Sequence, residues 1–149
     1  MWLSAFLGLG FGIVGVVLVR TFLSHPKQEM AFWRSGLVIV AAIYLAFWLL
    51  GNRSGNEGLS WLGIESLGMV IYGLMAWASK RITVWLLPIG WLLHGLWDLL
   101  LHAGGHPAFV PNWYPAICLG FDVCLFVYLS WLIWSPSSPG IKKSANPDF

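Results

Sequence analysis

Charge is what this sequence has least of. Asp, Glu, Lys and Arg make up 9% of its 149 residues, against about 25% in a soluble domain. A chain this poor in charge cannot clothe a water-facing surface, which excludes a soluble globular fold. Basic runs are missing too, and the formal net charge is only +2, which excludes nucleic acid as a partner. Cysteine is scarce: Cys118 and Cys124 are the only two. Six residues on one helix separate them by about 9 Å of rise, too far for a disulfide with each other. The N-terminal stretch "MWLSAFLGLGFGIVGVVLVR" lacks the basic start and small-residue cleavage site of a secretory signal peptide. It is therefore expected to stay as a helix of the mature protein.

What is present is apolar. Hydrophobic residues reach 58%, with eleven Trp, a residue that gathers at lipid–water boundaries. Cutting at charges and turn residues leaves five apolar segments, 2–23, 32–50, 59–79, 82–102 and 112–134, each close to the roughly 20 residues that cross a bilayer core. The expected fold is all-α, a polytopic bundle of five transmembrane helices. A Pro- and Ser-rich tail, 135–149, follows and reads as disordered. Arg20, Lys27, Arg34, Lys80, Arg81, Lys142 and Lys143 fall on one side of such a bundle and only Arg53 on the other. That bias places the N-terminus outside and the C-terminus in the cytoplasm. "GFGIVG", Gly10 to Gly15, matches a dinucleotide fingerprint, but it lies inside a membrane segment with no preceding strand. Gly8 and Gly12 instead give the spacing that lets a second helix approach closely.

The stretch "HGLWDLLLHAGGH" carries the chemistry. His94, Asp98 and His102 recur every four residues, drifting by about 40° per step, so they share one helix face. Glu65 and Asp122 sit in the neighbouring segments. From the helical rise, Asp98 lies ~6 Å, Glu65 ~9 Å, His94 ~12 Å and Asp122 ~15 Å from the outer end, with His102 and His106 at the rim. Three potential anions thus share one half of the membrane with no Lys or Arg in their layer, and no polar residue is expected to continue through the cytoplasmic half. An acid at the centre of a membrane helix costs roughly 2.5–3.5 kcal/mol, so these carboxylates must be protonated, paired with imidazolium or bound to a cation. All three options turn them toward the bundle interior. His94 and Asp98 can share one ion, whereas His94 and His102, about 12 Å apart in rise, cannot. Cys118, four residues before Asp122, is a soft ligand or a small apolar filler. Tyr44, Ser66 and Tyr72 can donate hydrogen bonds inward. Pro88 is expected to kink the fourth helix, Asn112 to cap the fifth, and "HPAFVPNWYP" to form a rigid lid.

"HGLWDLLLH" followed by "VPNWYPAICLGFD" resembles a family of small bacterial integral membrane proteins in which a His–Trp–Asp–His segment precedes Pro, aromatics and an intramembrane Asp. The resemblance covers His94 to Asp122. It implies that His94, Trp97, Asp98, His102 and Asp122 belong together in a bacterial inner-membrane protein, and it implies no activity. The layout is also similar to that of emopamil-binding-type isomerases and of alkaline ceramidase-type hydrolases. The latter have seven helices and a His-x-x-x-His pair, absent here because Asp98 stands between His94 and His102.

The leading expectation is a membrane enzyme acting on a lipid or isoprenoid-like substrate. A divalent, zinc-like metal would be held by His94, Asp98 and Asp122, with Glu65, Asp98 and His102 as catalytic groups. A haem- or chlorophyll-binding subunit, with His94 or His102 as axial ligand, is the alternative. A proton conduit and a structural accessory subunit of a larger membrane complex are further readings.

Overall fold

The computed structural model describes residues 2–23, 25–50, 57–103 and 110–135 and, of 57–59 and 102–103, the backbone alone. Five helices follow one another: α1 (Trp2–Phe22), α2 (Pro26–Leu50), α3 (Glu57–Arg81), α4 (Leu86–Ala103) and α5 (Tyr114–Trp134). No strand occurs among the described residues. α1, α2, α3 and α5 are long and apolar enough to cross a membrane. α4, with 18 residues, spans about 27 Å, just under the roughly 30 Å of a hydrocarbon core. The architecture is all-helical and fits a multi-pass membrane protein.

Several boundaries differ from the sequence reading, each for a local reason. α2 begins at Pro26, not at 32. Pro26 occupies the first helical position, where a missing N–H costs nothing, and the His25 carbonyl accepts from the amides of Gln28 at 2.9 Å and Glu29 at 3.1 Å. α3 extends two residues beyond 59–79 at each end. α4 starts at Leu86 instead of 82 because residues 82–85 form a turn, in which the Thr83 carbonyl accepts from the Leu86 amide at 3.2 Å. Pro88 consequently falls in the first turn of α4 and causes no kink. The cap of α5 is Trp113, with no side-chain cap bond. Asn112 is exposed and does not take that role, because a turn bond from the Tyr114 amide to the Pro111 carbonyl, 2.9 Å, sets the start of the helix. The expected lid is described only from Val110 onward. Residues 104–109, with His106, the 136–149 part of the tail and Arg53 lie outside the described residues.

α5 organises the bundle. α1 packs on one side of it and α4 on the other, while α2 and α3 pair and α3 meets α4. The α1–α5 crossing is set by glycines. A Cβ on Gly8 would stand 2.0 Å from the Ile117 carbonyl oxygen, one on Gly120 would stand 2.0 Å from that of Ala5, and one on Gly12 would stand 2.7 Å from Cys124 Cβ. In lipid, where apolar surface gains nothing by leaving the solvent, such close packing is what associates helices. The Gly8/Gly12 spacing is thus a packing device, and the "GFGIVG" match lies within α1. A central layer of Leu37, Leu87, Leu125 and Leu129, with Trp33 and Trp91, is buried.

Beneath this layer lies a polar cluster that corrects the picture of an apolar cytoplasmic half. Glu29 is fully buried. Its Oε2 accepts from Arg20 Nη1 at 3.0 Å, and its Oε1 accepts from the Tyr128 hydroxyl. One carboxylate thereby ties α2 to α1 and α5. It enters the bundle because α2 starts six residues earlier than its apolar run suggests. Nearby, Arg34 Nε donates to Ser79 Oγ at 2.9 Å, joining α2 to α3. These contacts gather Arg20, Arg34 and the α3 terminus with Lys80 and Arg81 at one end. Ser79→Ala removes a buried acceptor from a charged donor and is expected to lower stability by about 1–3 kcal/mol. Ser35→Ala, whose exposed hydroxyl bonds only its own helix at Ala31, should change it by less than about 0.5 kcal/mol. Thermal melting in detergent, followed by Trp fluorescence, checks both.

Candidate functional site

The site is built on the seam between α4 and α5. His94 and Asp98, one turn apart, lie on the face of α4 that meets α5, and Gly95 between them lets the helices close. A Cβ on Gly95 would stand 3.1 Å from Asp122 Cβ and Oδ2 and 3.2 Å from Leu119 Cα. The approach brings Asp122 Oδ2 to 2.8 Å from His94 Nδ1, while Asp98 Oδ2 stands 4.0 Å from the same nitrogen. The side chains of His94, Asp98 and Asp122 are at most 2% exposed. Asp98 is also faced by the Cys118 thiol and the Tyr44 hydroxyl.

α3 closes the site from the other side. Glu65 is buried and lines, with Tyr44, Tyr72, His94, Trp97 and Asp98, a hollow of about 10 Å³, room for about one water. The Tyr72 ring meets His94 edge-on with centroids 5.2 Å apart, and its hydroxyl donates to the Leu93 carbonyl at 3.1 Å, fastening α3 to α4. Trp97 stands edge-on to Tyr72 and lies over Gly68.

The residues picked out in the sequence therefore fall into two groups. Glu65, His94, Asp98 and Asp122 come from three helices and meet in one layer, with Trp97 beside them. His102 continues α4, but its side chain lies outside the described residues, as does His106. Ser66 is half-buried. No family model, curated protein or solved structure matches this chain. Its chemistry has to be read from the groups themselves.

Those groups are incompletely satisfied. Glu65 Oε1, Asp98 Oδ2 and Asp122 Oδ1 are buried and have no hydrogen-bond partner. Buried polar atoms are normally paired, and a carboxylate in a dry interior is costly unless a proton, a cation or a donor reaches it. Glu65 and Asp98 line one water-sized space with His94, and Asp122 backs the imidazole from α5; the set is acceptor-rich and chemically suited to a proton or a metal ion. Two contributors were hard to see in the sequence. Gly95 is one of 17 glycines, and its signal was position alone, directly after His94 and opposite a Cys-x-x-x-Asp pair. Glu29, in the second polar cluster, falls between the apolar runs of the sequence; Pro26 as a helix-starting residue is the available clue.

Proposed function

We propose that this chain is a multi-pass membrane enzyme that performs acid–base or metal-assisted chemistry on a lipid or isoprenoid-like substrate. The reacting groups are Glu65 and Asp98. His94 is held by Asp122, and a divalent metal, where one is used, sits among His94, Asp98 and Asp122. The site occupies the non-cytoplasmic half, with the N-terminus outside.

The observation that carries this reading is the set of three buried, unpartnered carboxylate oxygens converging from α3, α4 and α5 beside an imidazole. A purely structural His–Asp pair would need one acid, not three. The hollow has room for about one water, so the substrate presents only a small polar group to it, and its apolar body stays in the bilayer. A metal placed there would neutralise acid and activate a bound water. Without a metal, the same carboxylates move protons directly.

Three other readings are less well supported. A haem or chlorophyll on His94 needs far more room than this hollow offers. A continuous proton conduit would have to pass the buried Leu37, Leu87, Leu125 and Leu129 layer that separates the site from Glu29. An accessory role in a larger complex predicts co-purifying subunits.

The test compares untargeted lipid mass spectrometry of membranes carrying the wild-type chain, Asp98→Asn or Glu65→Gln at equal abundance. Wild type should deplete one lipid or isoprenoid-like species and raise its product, with the conversion slowed by about 100-fold or more in each variant, the scale of a lost acid–base group. Identical lipid profiles from all three folded proteins would remove the enzyme reading.

A further inference from the structure

Two pairs of side chains spaced by four face each other across the α4–α5 seam: His94 with Asp98, and Cys118 with Asp122. Asp122 is engaged with His94 Nδ1 at 2.8 Å. Cys118 is not in a disulfide and is buried, and its thiol faces Asp98. One donor atom from each of His94, Asp98 and Cys118 lies within 4.8 Å of the other two. Asp98 Oδ2 in that group, and Glu65 Oε1 across the hollow, are buried with no partner.

We infer that His94, Asp98 and Cys118 form a binding site for one ion of the zinc class, with Cys118 taking the ligand place given above to Asp122, which is instead a positioning residue that holds the imidazole. The inference rests on the enzyme reading and identifies what that site holds. The donor set selects the ion. Imidazole, thiolate and carboxylate oxygen together are zinc's ligands, whereas calcium and magnesium take oxygen donors and disfavour sulfur. One carboxylate and one thiolate balance the two positive charges of the ion. Binding exchanges the Cys118 thiol proton for the metal, and that proton leaves to water.

The number of donors matters as well. A structural zinc site closes with four protein ligands, while a catalytic one uses three and leaves the fourth position to water. Here two of the three donors, His94 and Asp98, line a hollow of about one water, and Glu65 lines it from α3, placed to take a proton from a water held there. With Zn–N and Zn–O near 2.0–2.2 Å and Zn–S near 2.3 Å, donors around one ion sit about 3.3–3.8 Å apart. The present spacing therefore requires the side chains to close by about 1 Å, within reach of rotamer adjustment.

The experiment uses the full chain purified in detergent and loaded separately with Zn²⁺ and with Co²⁺ as a spectroscopic stand-in. Wild type should hold one ion per chain, and the cobalt form should show thiolate-to-metal charge-transfer absorption in the near ultraviolet. Cys118→Ser should lose that band and bind zinc at least about tenfold more weakly, the lower bound for a lost ligand-sphere group. Cys124→Ser alters the other thiol, beside Gly12 on the α1 side of α5, and should leave both readouts unchanged. Asp122→Asn should keep the thiolate band while binding weakens. One bound ion without a thiolate band, or with affinity indifferent to Cys118→Ser, overturns this inference and leaves a metal enzyme standing. No bound ion in a folded protein whose lipid conversion still depends on Asp98 also overturns it, in favour of metal-free acid–base chemistry. Loss of the lipid conversion result itself would strike the enzyme reading instead.

Discussion

Gly120→Leu is expected to release α1 from the rest of the bundle. The Cβ position at Gly120 is 2.0 Å from the Ala5 carbonyl oxygen and 2.8 Å from the Leu9 amide nitrogen. Both neighbours are helix backbone and cannot rotate away, so the two helices must separate. Ordinary overpacking costs about 1–3 kcal/mol because side chains yield; a clash of backbone with Cβ belongs to the rare class above about 4 kcal/mol. α1 packs almost wholly on α5, and its tie to α2, Arg20 to Glu29, lies near the other end of the helix and does not relieve the clash. Gly8→Leu should do the same from the opposite face, since its Cβ would meet the Ile117 carbonyl oxygen at 2.0 Å. Gly10→Leu is the control: nothing lies within 4 Å of its Cβ position, and the new side chain would point at lipid. Melting temperature in detergent and protease sensitivity of the α1–α2 connection measure the series. Equal stability of Gly10→Leu and Gly120→Leu would mean that α1 is not seated on α5 as described.

Asp122→Leu is expected to have the next largest effect, because it strips His94 of its 2.8 Å partner beside a hollow with room for only about one water. Removing one member of a buried ion pair typically costs about 3–5 kcal/mol, and even a neutral buried group left unpaired costs about 1–3 kcal/mol. The double variant His94→Leu with Asp122→Leu replaces both groups by apolar ones, and such exchanges are often neutral or stabilising. It should melt close to wild type and yet convert no lipid and bind no metal. This separates what the pair does for the fold from what it does for the chemistry. If the double variant keeps the lipid conversion, the site has been misplaced, whatever its stability.

Much of this molecule is legible in the order of its residues. The scarcity of charge and the lengths of the apolar runs determine five helices, four of them long and apolar enough to cross a membrane, since a backbone in lipid must satisfy its own hydrogen bonds. The fourfold spacing of His94 and Asp98 determines that they share a face, and the absence of bases in their layer determines that this face turns inward. Helix ends were less legible. The His25 and Thr83 carbonyls set boundaries through local hydrogen bonds, which an apolar-run reading passes over, and Glu29 falls outside such a reading for that reason.

Only the tertiary structure decided which partner each acid finds. Helical periodicity gives the direction of a side chain around its own axis but not the distance to the next helix. That distance was fixed by Gly95 against α5 and by Gly8 and Gly120 between α1 and α5, where a missing Cβ permits backbones to touch. The closeness at Gly95 is what assigns Asp122 to His94 and leaves Asp98, faced by Cys118, on the edge of a hollow large enough for one small guest.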